Sequence, residues 1–250
     1  MSSMRKHYRQ EARKHGLSSQ STMEDTIVRD REIELIQSAI RNSDSRVLDV
    51  GCGNGYALSV LSGKFPTMTF WGVDSSKDML QLANSRGLRN CSFAHGDVRQ
   101  LDFPKDYFDF EFSERCLINL ADWKEQQHAI DAITHVLKTK GRFLLIECFT
   151  DGLTNLNRAR VECGLPALKA LPWNRYLDKQ EFLRYIKNFN QLPSQTNFLS
   201  SHYFISRVLH PLVTKRKKLI RNAEFVRFFL YLPPIGNYSQ LQAFLLEKIK

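Results

Sequence analysis

Nowhere does the sequence run to roughly eighteen consecutive apolar residues, so no membrane-spanning helix is expected. Its first residues, Met1-Ser2-Ser3-Met4-Arg5-Lys6-His7, lack the apolar stretch of a secretory leader. Cysteine is sparse. Cys52, Cys91, Cys116, Cys148 and Cys163 are odd in number and scattered, with no Cys-x-x-Cys pair and no Cys/His ligand spacing. That argues against a disulfide framework and a zinc site, and for reduced thiols in a cytoplasmic protein. Acids are the minority charge, 26 Asp and Glu against 36 Lys and Arg, for a net charge of +10. No internal repeat or low-complexity tract interrupts the chain. Its 250 residues, 42% of them hydrophobic, suit one α/β domain spanning 1–250.

The most informative segment is Val47-Leu48-Asp49-Val50-Gly51-Cys52-Gly53-Asn54-Gly55. An apolar run ends in an acid, three glycines alternate, and a helix-like stretch from Tyr56 to Lys64 follows. Glycines let a backbone turn sharply and come close to a ligand, and free N–H groups at a helix start add a positive end. The dinucleotide fingerprint needs its last glycine one residue later, where Tyr56 stands, and the Gly-Lys-Ser/Thr of a P-loop is absent. A nucleotide-binding α/β protein of another kind is the alternative this motif alone leaves open.

Further apolar runs ending in acids follow: Phe70 to Asp74, Cys91 to Val98 with a Gly96-Asp97 step, Tyr107 to Glu114, and Gly141 to Glu147. Several acids, each at the C-terminal end of a strand, mark the edge where open α/β sheets bind ligands. Asp74, roughly 20 residues past the glycine loop, is placed to hydrogen-bond two ribose hydroxyls. Helices are expected over 25–41, with Ile27, Ile33, Ile36 and Ile40 on one stripe, from a Ser75 or Ser76 cap to Arg86, and from an Asp122 cap to Leu137. Residues 150–177 read as irregular, Asp178–Asn188 as a helix, and Gln195–Ser206 and Leu241–Ile249 as the last two strands, with an insertion at 207–238 between them.

The pattern Asp-x-Gly-x-Gly-x-Gly with its downstream acids resembles the class I S-adenosylmethionine (SAM) methyltransferases over residues 25–150. That resemblance implies a Rossmann-like α/β fold: a seven-stranded, mostly parallel sheet with antiparallel last strands and helices on both faces. It also implies SAM as cofactor and no metal. Cofactor contacts would come from Asp49, Gly51, Cys52, Gly53, Asn54, Gly55, Asp74, Ser75, Asp97, Val98 and Ser113, with Asp97 facing the adenine amino group. Residues 1–41 would supply cofactor-covering helices. There Arg29 would either hold the SAM carboxylate or pair with Asp25 or Glu32 one turn away. Cys52 reads as a small packing residue or as a reactive thiol.

A narrower similarity, to a bacterial subgroup tied to gene clusters for surface polysaccharides and lipid-linked sugars, rests on Ser113 to Trp123 and on Glu147, Asn157, Arg160, Pro172-Trp173-Asn174, Tyr176, Tyr203 and Pro233-Pro234. It implies methyl transfer to a small acceptor such as a sugar or glycolipid hydroxyl, with Asn157, Trp173, Tyr176 and Tyr203 around the acceptor. Where the subgroup has Trp-His-Asn this chain has Trp173-Asn174-Arg175, so a histidine base at that place is not supported. Position instead offers Glu114, Glu147 and His202 as candidate bases. The basic run Lys215-Arg216-Lys217-Lys218 and the aromatics Phe225 to Leu232 read as an acceptor lid facing an anionic or membrane-associated acceptor, or as a solvated helical elaboration. A nucleic-acid methyltransferase is the alternative suggested by the basic surface. However, Ser113-Glu114-Arg115-Cys116 matches neither the Asp/Asn-Pro-Pro-Tyr/Phe motif nor the Pro-Cys nucleophile of those enzymes. A non-catalytic SAM-binding protein is a third reading.

Overall fold

In the computed structural model, which describes residues 3–187, 189–192, 196–215 and 219–249, seven strands form one sheet in the order β3-β2-β1-β4-β5-β7-β6. The strands are β1 Arg46–Val50, β2 Thr69–Asp74, β3 Cys91–His95, β4 Phe108–Glu114, β5 Leu137–Cys148, β6 Phe189–Leu192 and β7 Leu241–Lys248. The pairs among β1 to β5 are parallel, and β7 runs antiparallel to both of its neighbours. The central strands are buried on both faces. Phe108, Phe110 and Phe112 fill one side of β4, and Glu111 and Ser113 are sealed on the other. This two-sided burial is why these strands read as near-continuous apolar runs.

Helices α1 Ser3–His15 and α2 Thr26–Ala39 precede the sheet, and α3 Tyr56–Lys64, α4 Lys77–Ser85 and α5 Trp123–Val136 connect its parallel strands. Their starts are encoded locally. Asp25, Ser76 and Asp122 each accept the backbone N–H three residues on, at 3.1, 3.3 and 2.9 Å. The stripe Ile27, Ile33, Ile36 and Ile40 is buried as expected. β5 begins directly after α5, at Leu137, four residues before the expected Gly141. Lys140 takes a left-handed φ of 63° there, and the β4–β5 register shifts between Phe108 and Phe110.

The second half departs further from the expected order. Residues 150–162 form helix α6 (Thr150–Glu162). The helix Asp178–Asn188 is found as α7, Lys179–Tyr185, capped by Asp178, while Asn188 lies outside the described residues. The sixth strand is Phe189–Leu192. Of the segment expected to be that strand, Gln195 lies outside the described residues. Ser200–Phe204 is helix α8, followed by a π-helical turn at Ile205–Leu209 and by α9, His210–Thr214. The 207–238 insertion thus falls within a longer β6–β7 connection, which also carries the short helix α10, Glu224–Arg227.

Gly152 explains why α6 holds a residue that weakens helices. A Cβ there would sit 1.9 Å from the Ser239 carbonyl oxygen, so only glycine lets α6 lie against the segment leading into β7. Gly152→Ala should therefore destabilise the fold by about 1–3 kcal/mol. A lowered urea midpoint at unchanged slope is the expected result.

Candidate active site

The glycine loop leaves β1 with Gly51, Gly53 and Gly55 at φ 82°, 53° and 70°, all left-handed. A Cβ at Gly51 would lie 2.6 Å from the Cys116 sulfur, and one at Gly53 would lie 2.8 Å from the Thr22 methyl. The loop is thus pressed between the end of β4 and the N-terminal segment. Asn54 fastens that segment, its amide donating to the carbonyls of Gly16 and Ser18 at 2.9 Å each. Arg86 adds a second clamp, donating to Asn54 O at 2.7 Å and Leu17 O at 2.5 Å. Asn54 was expected at the cofactor, but its side chain is spent on this cover. Cys52 is a packing residue against Gly72.

Asp74 ends β2 beside the loop. One carboxylate oxygen accepts from Gly53 N–H at 2.8 Å and the other from Ser76 N–H at 2.7 Å. A carboxylate has about four lone-pair sites, so two remain, the number a ribose diol requires. Burial raises its pKa, against the backbone N–H groups, Ser76 and Gly53 foremost, and the nearby His95. Ser75 contributes its carbonyl, 3.2 Å from His95 Nε2. Asp97 follows β3 as expected, but Arg99 occupies most of it through its backbone N–H and Nε, each 2.9 Å from Oδ1, and through Nη2 on Oδ2. These bonds hold its carboxyl below the usual range and leave roughly one acceptor site for an adenine amino group. Val98 beside it is partly buried against the core.

Beneath the loop lies a cluster of buried charge. Arg29 on α2 pairs with Glu114 at the end of β4 and with Glu32 at 3.3 Å. Arg115 pairs with Glu32 at 2.7 Å. Asp49 completes the cluster, and its buried Oδ2 has no hydrogen-bond partner. Burial and the neighbouring Glu114 raise the Asp49 pKa well above normal. Glu32 is pushed up to about 7 by burial, against Arg115. Three acids, Asp49, Glu32 and Glu114, thus meet two guanidiniums, Arg29 and Arg115, and a cationic ligand group beside Asp49 would draw its raised pKa back down. Arg29 pairs with Glu32, as one of its two readings had it, and with the unforeseen Glu114. Its Nε is buried without a partner.

The three candidate bases are corrected in role. Glu114 is committed to Arg29. Glu147 is fully buried at the end of β5 and accepts from Ser113 Oγ at 3.3 Å and from the N–H groups of Cys116, Leu117 and Ile118 at 2.9, 3.0 and 3.4 Å. It therefore positions the turn after β4. His202 sits on α8 and not beside a strand, and burial, with Arg207 near, pulls its pKa down to about 4. None presents a free, accessible base.

The acceptor residues also divide. Asn157 clips Leu168, donating to its carbonyl at 2.9 Å and accepting its N–H at 2.7 Å, so its amide is not free for a ligand. Trp173 packs on His7 of α1, ring centroids 5.1 Å apart. Tyr176 is a partly buried core neighbour whose pKa burial raises. Tyr203 lines a cleft of about 230 Å³ with Met23, Glu24, Asp25, Leu168, Arg207, Leu219, Arg221 and Gln240. The Arg207 guanidinium lies 4.0 Å from the Tyr203 ring centroid and pairs with Asp25 at 2.6 Å. Arg221 pairs with Glu24 at 2.5 Å. Met23 joins cleft and cofactor edge, its sulfur 3.0 Å from Arg115 Nη1. Sequence reasoning missed Glu32, Arg115, Met23, Asp25 and Arg221 as site residues, because their partners lie far along the chain. It also missed Tyr8 of α1, whose hydroxyl reaches Asn119 Oδ1 at 3.4 Å. No cluster of metal-ligating side chains occurs among the described residues.

Residues 47–141 match the family model of a methyltransferase domain. The chain is 31% identical over 123 residues to a demethylmenaquinone methyltransferase of Thermotoga maritima, covering 49% of this chain and 51% of that protein. It is 35% identical over 106 residues to a malonyl-[acyl-carrier protein] O-methyltransferase of Herminiimonas arsenicoxydans, covering 42% and 38%. The chain thus spans about half or less of the curated relatives it matches. Among solved structures, a Pyrococcus horikoshii protein superposes with a TM-score of 0.62 at 18% identity, over 98% of this chain and 99% of that one, a likeness of fold. Over the matched segment the chain is similar to the class I SAM-dependent methyltransferases, and it shares its fold with the Pyrococcus horikoshii protein. SAM is the cofactor of that class, and the left-handed glycine cradle, the half-used Asp74 and the unpartnered Asp49 oxygen fit it.

Three outcomes are expected. Asp74→Ala removes a charged acceptor worth about 1.5–3 kcal/mol, so calorimetry should show SAM binding roughly tenfold to hundredfold weaker. Gly53→Val, which needs a β-branched residue at positive φ, should abolish it. Normal affinity in the folded variants would remove the cofactor assignment. Glu147, at about 7 in the folded chain against an ordinary 4.5, binds its proton more tightly folded than unfolded. Its contribution to stability is full below the ordinary value and is lost as pH rises toward 7. Glu147→Gln should remove up to one proton from that slope, as read from urea midpoints between pH 4.5 and 7.5.

Proposed function

We propose that this protein transfers the methyl group of SAM to a small polar acceptor bound in the cleft between α2 and the β6–β7 connection. The preferred acceptor is a hydroxyl of a sugar, glycolipid or related metabolite. The observation that carries this reading is the lining of the cleft. Two acids face two guanidiniums, with Gln240 and the Tyr203 ring beside them. A charge-balanced wall rich in donors and acceptors recognises polyols, and an aromatic face covers their apolar side. Similarity to relatives named for menaquinone and malonyl-carrier substrates supports a small-molecule acceptor.

SAM supplies an activated methyl on a sulfonium, and the protein's task is to align acceptor and methyl at roughly 3–3.5 Å. Arg29, Glu114 and Glu147 fix the end of β4, which borders the methyl group in this reading. Met23 carries that edge into the cleft. Because Glu114, Glu147 and His202 are sealed or paired, alignment and exclusion of water carry the rate.

The two cleft arginines favour a second reading, a carboxylate acceptor, which needs no base. The Herminiimonas arsenicoxydans relative is named for methylation of a malonyl group. Tritiated methyl transferred from SAM to fractionated extract separates the two. A methyl ester releases its label in mild alkali and a methyl ether keeps it. Failure of any fraction to accept label from a SAM-binding preparation would overturn both. Arg221→Ala should raise KM for the acceptor roughly tenfold, an exposed charged contact's worth, and leave SAM affinity unchanged.

A further inference from the structure

Among the described residues thirteen large apolar side chains are exposed, and eight of them lie between 209 and 235. They are Leu209, Leu212, Val213, Phe225, Phe228, Tyr231, Leu232 and Ile235. Phe228, Val213 and Ile235 are 81%, 73% and 72% exposed. Scattered apolar residues need no explanation, but this concentration in one stretch does. The stretch is physically joined. Phe225 of α10 stacks on His210 of α9 at 5.6 Å and meets Phe229 at 5.2 Å, which in turn meets Phe228 at 5.1 Å. Tyr231 reaches α2, with Arg31 5.2 Å over its ring and Glu34 at 2.7 Å.

The same stretch of sequence holds six Lys and Arg residues against one acid, Glu224. Arg216, Lys217 and Lys218 lie outside the described residues, but bulky aromatics and basic residues in one stretch of sequence are the composition of a segment that enters the headgroup layer of an anionic bilayer. Nucleic acid would also attract the charge, but it gives no reason to expose Val213, Leu212 and Ile235. The position adds a reason for a membrane. Leu219 and Arg221 form one wall of the acceptor cleft, and Asn222 holds the N-terminus of α2 by accepting the Thr26 N–H at 3.0 Å. The apolar stretch therefore lies directly beyond the cleft wall.

We propose that the exposed apolar surface carrying Leu212, Val213, Phe225, Phe228 and Ile235 docks on an anionic lipid bilayer and sets the acceptor cleft at the membrane. The docking itself rests on the exposed surface, while its bearing on the cleft rests on the methyl-transfer reading. In its strongest form it makes the acceptor lipid-linked.

The test is sedimentation of the whole protein with vesicles of phosphatidylcholine alone, or with phosphatidylglycerol at roughly one lipid in three. Wild type is expected to sediment with the anionic vesicles only, and less so as salt rises. The double variant Val213→Ser, Phe228→Ser removes two exposed side chains and should weaken vesicle binding by at least about tenfold. SAM affinity, measured in parallel, should stay constant and confirms the fold. Absence of sedimentation by wild type that binds SAM would overturn the proposal, as would equal sedimentation of the double variant. A dimer dissolved by the same substitutions, without vesicle binding, would assign the surface to a second copy of the chain.

Discussion

The ion pair between Arg29 and Glu114 holds the functional edge of this molecule together. Two charges taken out of water are stable only when their remaining hydrogen-bonding capacity is met. Glu32 and Arg115 meet much of it, and in doing so they tie three places together: α2, the end of β4, and the turn that follows. Glu147 fixes the far side of that turn by accepting three backbone N–H groups. Removing Arg29 would leave Glu114 and Asp49 as neighbouring buried acids, and the end of β4 would lose its reference to α2. Geometry at the end of β4 is therefore set by charge as much as by the sheet.

Much of the parallel half was legible because its signals are local. An apolar run ending in an acid marks each strand, and Asp25, Ser76 and Asp122 cap helices through bonds to residues three positions on. The chain's own neighbours decide those elements. After β5 the deciding partners lie elsewhere. Gly152 inside α6 looks like a breaker until Ser239 is seen against it. Residues 200–214 carry Tyr203, Phe204, Ile205 and Val208, a β-like composition. They form one helical stretch buried on several sides, and its π turn shifts the phase of the apolar positions, so neither the helical period nor a clean alternation appears.

The site was legible by the same rule. Which acids end which strands could be read from spacing, and Asp74 stands where expected. What each acid does depends on its partner. Glu114 and Glu147 are acids at strand ends, as a base would be, yet one is committed to Arg29 and the other to three backbone donors. Asn157 is polar and close to the cleft, yet Leu168 consumes its amide. Pairing across 11 to 85 residues leaves no periodic trace, so sequence reasoning over-assigned catalysis to residues that position.

Asp25 shows how the cofactor and acceptor sides are connected. It caps α2 through Val28 and pairs with Arg207, which stacks on Tyr203 in the cleft. One turn along the same helix, Arg29 reaches the end of β4. A ligand drawing Arg207 toward the cleft would change the charge at the start of α2, while a ligand at the glycine loop would act on Arg29. Helix α2 is packed through Ile27, Ile33 and Ile36, so it moves as a body or not at all. The two sites thus share a rigid element with a buried charge pair near its N-terminus and another one turn further on. Met23, just before that helix, touches both the Arg115 guanidinium and the cleft. Under the proposed function one segment would position both acceptor and cofactor, which is the arrangement an in-line transfer needs if both must be held to a few tenths of an ångström.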